Sequence, residues 1–398
     1  MANEYPTSIS LPAFSFLRSA PAPNQTVNVE STIGFDDAIR ALYAPLLQLI
    51  TEPNFTDTRD GTVYNFTGAP LWTESLGKRI LILDVDTRPL DDANQIFNPT
   101  FSWASMTGVS QGMLNHYLYA TIHGYSYKFI HTRRYPNASR ADMWTKVSAL
   151  ADTLPHYDAV VMIDADAVFR HLHLPYEWLL NRWRVTRNTS LAMALDVSLT
   201  TAGEPIGYTN NRFGALNPNA GFITALNLPR TFAMLRAWLA CPDDGERFPG
   251  CERFLKEWPA EQGAFGEYVR YMYDRETDFK AFACDDANGF PGQGNDCQGM
   301  LVRHFTTGKE RLKEEVGDTV LQTIMGRVQA DLMARRAEVW AERGDNAIHT
   351  AVGLEEDGER AWVDVLKEEQ NERWIRVARL RKVPISGHGV VHPPVWKG

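Results

Sequence analysis

Residues 160–169 read VVMIDADAVF, an apolar and β-branched run that ends on two aspartates, Asp164 and Asp166, one residue apart. The run is short and continuous, and Pro155 closes the pattern before it, so it predicts a buried strand. A second stretch, ILILDVDTRP at 80–89, delivers Asp84 and Asp86 in the same way. Between the two, QGMLNHYLYATIHG places Met113, Leu114, Tyr117, Leu118 and Ile122 at helical spacing and stops at Gly124. YSYKFIHT then reads as a strand. ADMWTKVSALADTL reads as a helix with Trp144, Val147, Leu150 and Leu154 on one face. LAMALD and GFITALN follow as two more strands. Alternation of strand and helix implies an α/β fold, a mostly parallel sheet with helices on both sides. Ligands of such sheets sit beyond the carboxyl ends of the strands, where both aspartate pairs fall.

The chain has 398 residues, 44% of them hydrophobic, and a net charge of −9. That length supports one large domain or two smaller ones. Mild acidity without a basic block argues against a nucleic-acid partner. No stretch approaches the roughly 18 apolar residues of a membrane span. The first residues lack the charged start and apolar core of a signal peptide. Two features nonetheless point to the secretory pathway. Asn24, Asn54, Asn65, Asn137 and Asn188 each begin an Asn-x-Ser/Thr sequon. Four cysteines, Cys241, Cys251, Cys284 and Cys297, share one 57-residue window, which suggests two disulfides in one of three pairings. A zinc site would want a Cys-x2-Cys pair, and there is none. The expectation is therefore a lumenal or secreted protein whose membrane anchor lies outside this chain.

Residues 1–78, rich in Pro, Thr and Asn, read as an arm; 79–310 carry the strand–helix alternation; 311–398 read as a helical appendage. In the appendage, apolar residues at 312, 316, 320, 324, 328 and 332 form one stripe of a long helix. A second charged helix is expected over 356–381. Such helices pair chains into a homodimer or simply cover the sheet.

The two aspartate pairs suggest different chemistries. Asp84-x-Asp86-Thr87 after an apolar strand is what a haloacid-dehalogenase-type phosphatase shows, with the first Asp as nucleophile and the second as general acid. That chemistry also needs a late acidic pair, for which only Asp285 and Asp286 offer themselves. Asp164-x-Asp166 suits a divalent cation that steadies a departing nucleoside diphosphate, since Mg²⁺ and Mn²⁺ prefer hard oxygen ligands. His171 and His173 read as packing or surface residues, and His123 as a buried histidine.

NHYLYATIHGY, MWTKVSAL, VVMIDADAVF, NPNAGFITALN, EWPAEQGAFGEYV and LVRHFTTGK follow one another in this order. Together they resemble the galactosyl-, mannosyl- and xylosyltransferases of the yeast and plant Golgi, a retaining family with the GT-A fold. The resemblance covers about 110–310, half the chain. It implies a transferase that moves a hexose or pentose from a UDP- or GDP-sugar to a glycan or glycoconjugate, with retention, in the Golgi lumen. It further implies Asp164, Asp166 and His304 as ligands of Mn²⁺ or Mg²⁺, and Gly308 and Lys309 against the diphosphate. Gln262 would steady the developing oxocarbenium beside Glu261, while Asn219 and Gly221 would present the sugar to a strand edge. Lys146 would face the phosphates, and Asp84 or Asp86 the base or ribose. Two departures stand out: Gly308 and Lys309 are adjacent, and Glu261 occupies a position more often held by Asp. The competing readings are the phosphohydrolase and a sugar-binding protein that kept the fold but lost turnover.

Overall fold

A computed structural model describes residues 33–336 apart from 107, 197–199, 202–203, 206–209, 274 and 293–296. Asn24 and the helix expected over 356–381 lie outside the described residues. The chain groups into two units, Met1–Arg327 and Val328–Gly398. The first unit begins with helix α1 (Phe35–Tyr43) and a hairpin of β1 (Asn54–Thr56) and β2 (Val63–Asn65). Then come β3 (Ile80–Asp86), α2 (Ser110–His123), β4 (Ser126–His131), α3 (Trp144–Thr153), β5 (Ala159–Ile163) and β6 (Ala167–Phe169). Helix α4 (Tyr176–Arg182), β7 (Leu191–Leu195), the two-residue strands β8 (Thr200–Thr201) and β9 (Glu204–Pro205), and β10 (Pro218–Leu226) follow. Helices α5 (Pro229–Ala240), α6 (Ala260–Ala264) and α7 (Arg270–Met272) precede β11 (Phe279–Phe282), β12 (Ala287–Gly289) and β13 (Val302–His304). Helix α8 (Leu312–Ala334) is last, and its final residues, with 335 and 336, are all that is described of the second unit.

The main sheet has six strands in the order β11-β7-β10-β5-β3-β4. Its fold class is the α/β expected, mostly parallel, with one strand reversed: β10 runs antiparallel to both β5 and β7. No helix crosses over between β7 and β10 among the described residues, and a parallel return would require such a crossover. The reversal matters for the site, because it brings the start of β10 to the carboxyl ends of β5 and β7. Alternate side chains feed two cores, one on each face. Ile80, Ile82, Val161 and Ile163 join one cluster, and Leu81, Leu83, Val160 and Met162 join the other with Trp144, Val147, Leu150 and Leu154. The stretch read as an arm contributes Tyr43, Phe55, Tyr64, Phe66 and Trp72 to the first core.

A three-stranded sheet, β12-β13-β6, lies beside the main one. Disulfides join Cys241 to Cys251 and Cys284 to Cys297. Asn54, Asn65, Asn137 and Asn188 are all exposed. No helix among the described residues is long and apolar enough to cross a membrane. Two helices depart from their sequence reading. On α2 the buried side includes Gly112, Asn115, His116 and Tyr119, while Tyr117 is exposed. On α8, Leu312, Val316 and Thr319 are buried, whereas Val328 and Leu332 are exposed, so the stripe packs only at its start.

Candidate active site

Strand β5 ends at Ile163, and the chain turns at once: the Ala167 amide donates to the Asp164 carbonyl at 2.9 Å, while the Asp164 amide donates to Gly221 on β10. The turn places Asp164 and Asp166 at the sheet's carboxyl edge and leads into β6. Because β6 pairs antiparallel with β13, His304 stands opposite Ala167. That register returns a histidine to the aspartates across 138 residues of sequence. His304 Nε2 lies 3.1 Å from Asp166 Oδ1 and 3.9 Å from Asp164 Oδ2. One ligand atom from each of the three residues lies within 4.8 Å of the others.

Two ammonium groups stand against these carboxylates, and the Arg88 guanidinium pairs with Asp86 at 2.6 Å. Lys146 Nζ stands 2.6 Å from Asp164 Oδ1, and Lys309 Nζ stands 2.6 Å from Asp166 Oδ2. Burial alone would raise the Asp166 carboxyl, but His304 and Lys309 hold it well below the usual carboxylate range. Burial works against a charged His304, yet the adjacent Asp166 and Asp164 carboxylates prevail and raise its pKa. Burial likewise works against the Lys146 ammonium, and Asp164 and Glu261 overcome it. Glu261 is fully enclosed and has moved the other way: burial pushes it up to about 7, partly offset by Lys146 at 3.8 Å.

Asp86, Thr87, Lys146, Asp164, Asp166 and Lys309 line one cleft of about 320 Å³. Asp84 does not. It is 1% exposed, and its carboxylate accepts from Tyr127 at 2.6 Å and meets His116 Nδ1 at 2.8 Å. A group so enclosed meets neither base nor ribose, so the expectation for Asp84 is corrected and only Asp86 remains for that role. At Gly221 a Cβ would stand 2.4 Å from His304 Cε1, so its bareness admits the imidazole.

On the other side of β10, Gln262 is held at both ends. Its Oε1 accepts from the Ala220 amide at 2.9 Å, and its Nε2 donates to Asp196 at 2.8 Å. Asn219 Oδ1 accepts from Gly221 and from Asn288 Nδ2 at 2.6 Å. Gly308 has a left-handed φ of 72° and opens the turn that carries Lys309.

No family model matches this chain, and no curated protein matches it. Solved structures do. A glycosyltransferase involved in the glycosylation of the major capsid of PBCV-1 aligns with 60% of this chain and 98% of its own, at 13% identity and a TM-score of 0.41. The galactosyltransferase LgtC, in complex with donor and acceptor sugar analogs, aligns with 60% of this chain and 95% of its own, at 11% identity and a TM-score of 0.35. Mouse xyloside xylosyltransferase 1 in its apo form covers 58% of this chain and 98% of its own, at 10% identity and a TM-score of 0.33. All three are glycosyltransferases. Values this low carry no function across, and the function of this chain rests on its own site.

Several residues of the site escaped the sequence reading. Asp196 directly follows β7 and would have been visible as a third acidic strand end. Asn115 accepts from the Phe169 amide and donates to its carbonyl, while His116 Nε2 meets the Ala167 carbonyl at 2.9 Å. Gly112 packs where a Cβ would stand 2.2 Å from the Ala165 carbonyl oxygen. Three residues of α2 thus hold the turn that carries Asp164 and Asp166.

Proposed function

We propose that the chain is a metal-dependent glycosyltransferase of GT-A type, which moves a sugar from a UDP- or GDP-sugar to a glycan or glycoconjugate with retention. The observation that carries this reading is the convergence of Asp164, Asp166 and His304, the two aspartates lining a cleft that also bears two lysines. The donor set fits a small divalent cation: two carboxylates supply hard oxygens, and an imidazole favours Mn²⁺ over Mg²⁺. A cation bound there would neutralise charge on the departing diphosphate.

The remaining work falls to the chain's own groups. Lys146 and Lys309 set positive charge along the cleft where phosphates would lie, and Asp86 and Thr87 line the same cleft and would meet the nucleoside. Breaking the bond between the sugar carbon and the diphosphate oxygen leaves the electron pair on the diphosphate. The acceptor hydroxyl oxygen forms the new bond on the same face, and its proton passes to the departing phosphate oxygen. That route asks for stabilising dipoles rather than a strong base. Gln262 keeps one N–H and one lone pair beyond the bonds already made. It is therefore rigid and still able to face the sugar. A secretory-lumen setting is supported by two formed disulfides and exposed sequon asparagines.

The phosphohydrolase reading is disfavoured by the enclosure of Asp84. The test is a donor panel of UDP- and GDP-sugars with Mn²⁺, read by nucleotide release and by calorimetry. Asp164→Ala and Asp166→Ala should each abolish metal-dependent nucleotide binding. Retention of that binding in both variants would sink the proposal, and tight donor binding without turnover in any acceptor screen would favour the sugar-binding protein.

A further inference from the structure

A second cleft, about 640 Å³, is lined by Arg212, Asn217, Arg253, Glu257, Trp258 and Glu267 among others. Its position follows from the chain. Trp258 lies three residues before Glu261, and Asn217 lies two before Asn219 at the start of β10. By the chain, the cleft thus adjoins the residues assigned to the sugar chemistry.

Its walls are built. On one side the Cys241–Cys251 disulfide, the Trp144 Nε1 bond to the Phe254 carbonyl and the Ala141 amide bond to the Leu255 carbonyl fix the segment that carries Arg253. On the other side Asn211 ties the opposing loop to the Gly266 carbonyl and the Tyr271 hydroxyl. Arg212 lies over the Tyr268 ring at 4.4 Å, and Arg253 bonds Glu267 at 2.5 Å.

Three features describe the ligand. The indole of Trp258 is 68% exposed, a large flat apolar face left to solvent at the rim. Two guanidinium groups, Arg212 and Arg253, balance two carboxylates, Glu257 and Glu267, so the cleft favours neither anion nor cation. Donors and acceptors are both present, the guanidinium N–H groups beside the carboxylate oxygens. A neutral molecule with apolar ring faces and many hydroxyls satisfies all three, since sugars present C–H faces to aromatic rings and hydroxyls to fixed polar groups.

We propose that this cleft is the acceptor site and binds a neutral oligosaccharide, with one sugar ring on Trp258 and neighbouring hydroxyls on Arg253, Glu257 and Glu267. The assignment of the oligosaccharide as acceptor rests on the transferase reading above. The volume lies within the usual range of ligand clefts, about 300–1,000 Å³.

The experiment uses the full chain and fluorescently labelled neutral oligosaccharides of defined galactose, mannose, glucose and xylose composition, with a sialylated set as the charged control. Wild type should retain members of the neutral set. Trp258→Ala, at an exposed position that leaves the fold intact, should weaken that binding at least about tenfold, and Trp258→Phe less than about threefold. Metal-dependent UDP or GDP affinity should stay unchanged in both. Unaltered oligosaccharide binding in Trp258→Ala, or retention of only the sialylated set, would overturn the assignment. Metal-dependent nucleotide binding without retention of any neutral oligosaccharide overturns the cleft and leaves the donor site standing. Oligosaccharide retention without nucleotide binding does the reverse.

Discussion

A methyl group at position 221 would stand 2.4 Å from Cε1 of His304 and 2.8 Å from its Nδ1. The ring has little room to retreat, because Phe290 lies beside it with centroids 5.9 Å apart and the residue is 4% exposed. Gly221→Ala should therefore move the imidazole while leaving both aspartates in place. The expected outcome is an Mn²⁺ affinity at least about tenfold weaker, with a melting loss of the size of an overpacked core, about 1–3 kcal/mol. A manganese titration followed by electron paramagnetic resonance measures it, and unaltered affinity would detach His304 from the metal. Glu261 gives a second test at this scale. Its carboxyl titrates near 4.5 when unfolded and about 7 when folded, so the unfolded state releases its proton first. Its contribution to stability is complete below about pH 4.5 and is lost as pH rises through 7. Chemical denaturation from pH 5 to 8 should show this decline in wild type and less of it in Glu261→Gln.

Helix α2 shows how an element serves a site without touching substrate. Asn115 satisfies both backbone groups of Phe169, and its Nδ2 also reaches Thr319 of α8 at 3.2 Å. His116 bridges Asp84 on β3 to the Ala167 carbonyl. Asn115→Ala strips two buried backbone groups of partners, which costs about 1–3 kcal/mol for each group left unsatisfied. Its effect should extend to Mn²⁺ affinity, because β6 begins directly after Asp166. Urea unfolding together with metal titration checks both, and a loss of stability with unaltered metal binding would make Asn115 a fold residue only. This helix also marks where sequence reading stopped. Strands β3, β5, β7 and β10 were legible because unbroken apolar runs admit little else, and the two aspartate pairs because they end such runs, whereas β6 and β13, three residues each, were too short to read. The polar face of α2 was not, since periodicity assigns Asn and His to solvent and cannot see a neighbouring strand that needs their hydrogen bonds. The reversal of β10 was equally hidden, as a buried strand reads the same in either direction. Asp84 and Asp86 look alike in sequence, and only the packing of His116 and Tyr127 separates them.

At the scale of the molecule, the segment before β3 is held on the sheet partly through histidines that must stay neutral. His171 and His173 sit against Phe55 of the β1–β2 hairpin, with ring centroids at 4.9 and 5.3 Å. His123 stacks on Tyr125 and meets the Leu172 carbonyl through Nε2 at 2.9 Å. Burial lowers all three from an ordinary value of 6.5, His173 to about 4 and His123 to about 3, and His171 well below its usual range. Folded pKa values below the unfolded ones mean that the unfolded chain takes up protons first on acidification. The stability these groups contribute is therefore complete above about pH 6.5 and is lost as pH falls through 4 and then 3. Each unit of lowering represents about 1.4 kcal/mol, so by pH 4 these groups remove a large fraction of ordinary domain stability. Denaturant midpoints taken at pH 7, 5.5 and 4 should fall in that order, and tyrosine or tryptophan probes near the hairpin should report the change first. His123→Gln, whose amide can replace the bond to Leu172, should flatten the acid side of the profile without shifting the midpoint at pH 7 by more than about 1 kcal/mol. An acid limb of unaltered slope in that variant would mean that proton uptake at His123 does not open the fold, and the loss would then belong to the remaining buried histidines or to the carboxylates.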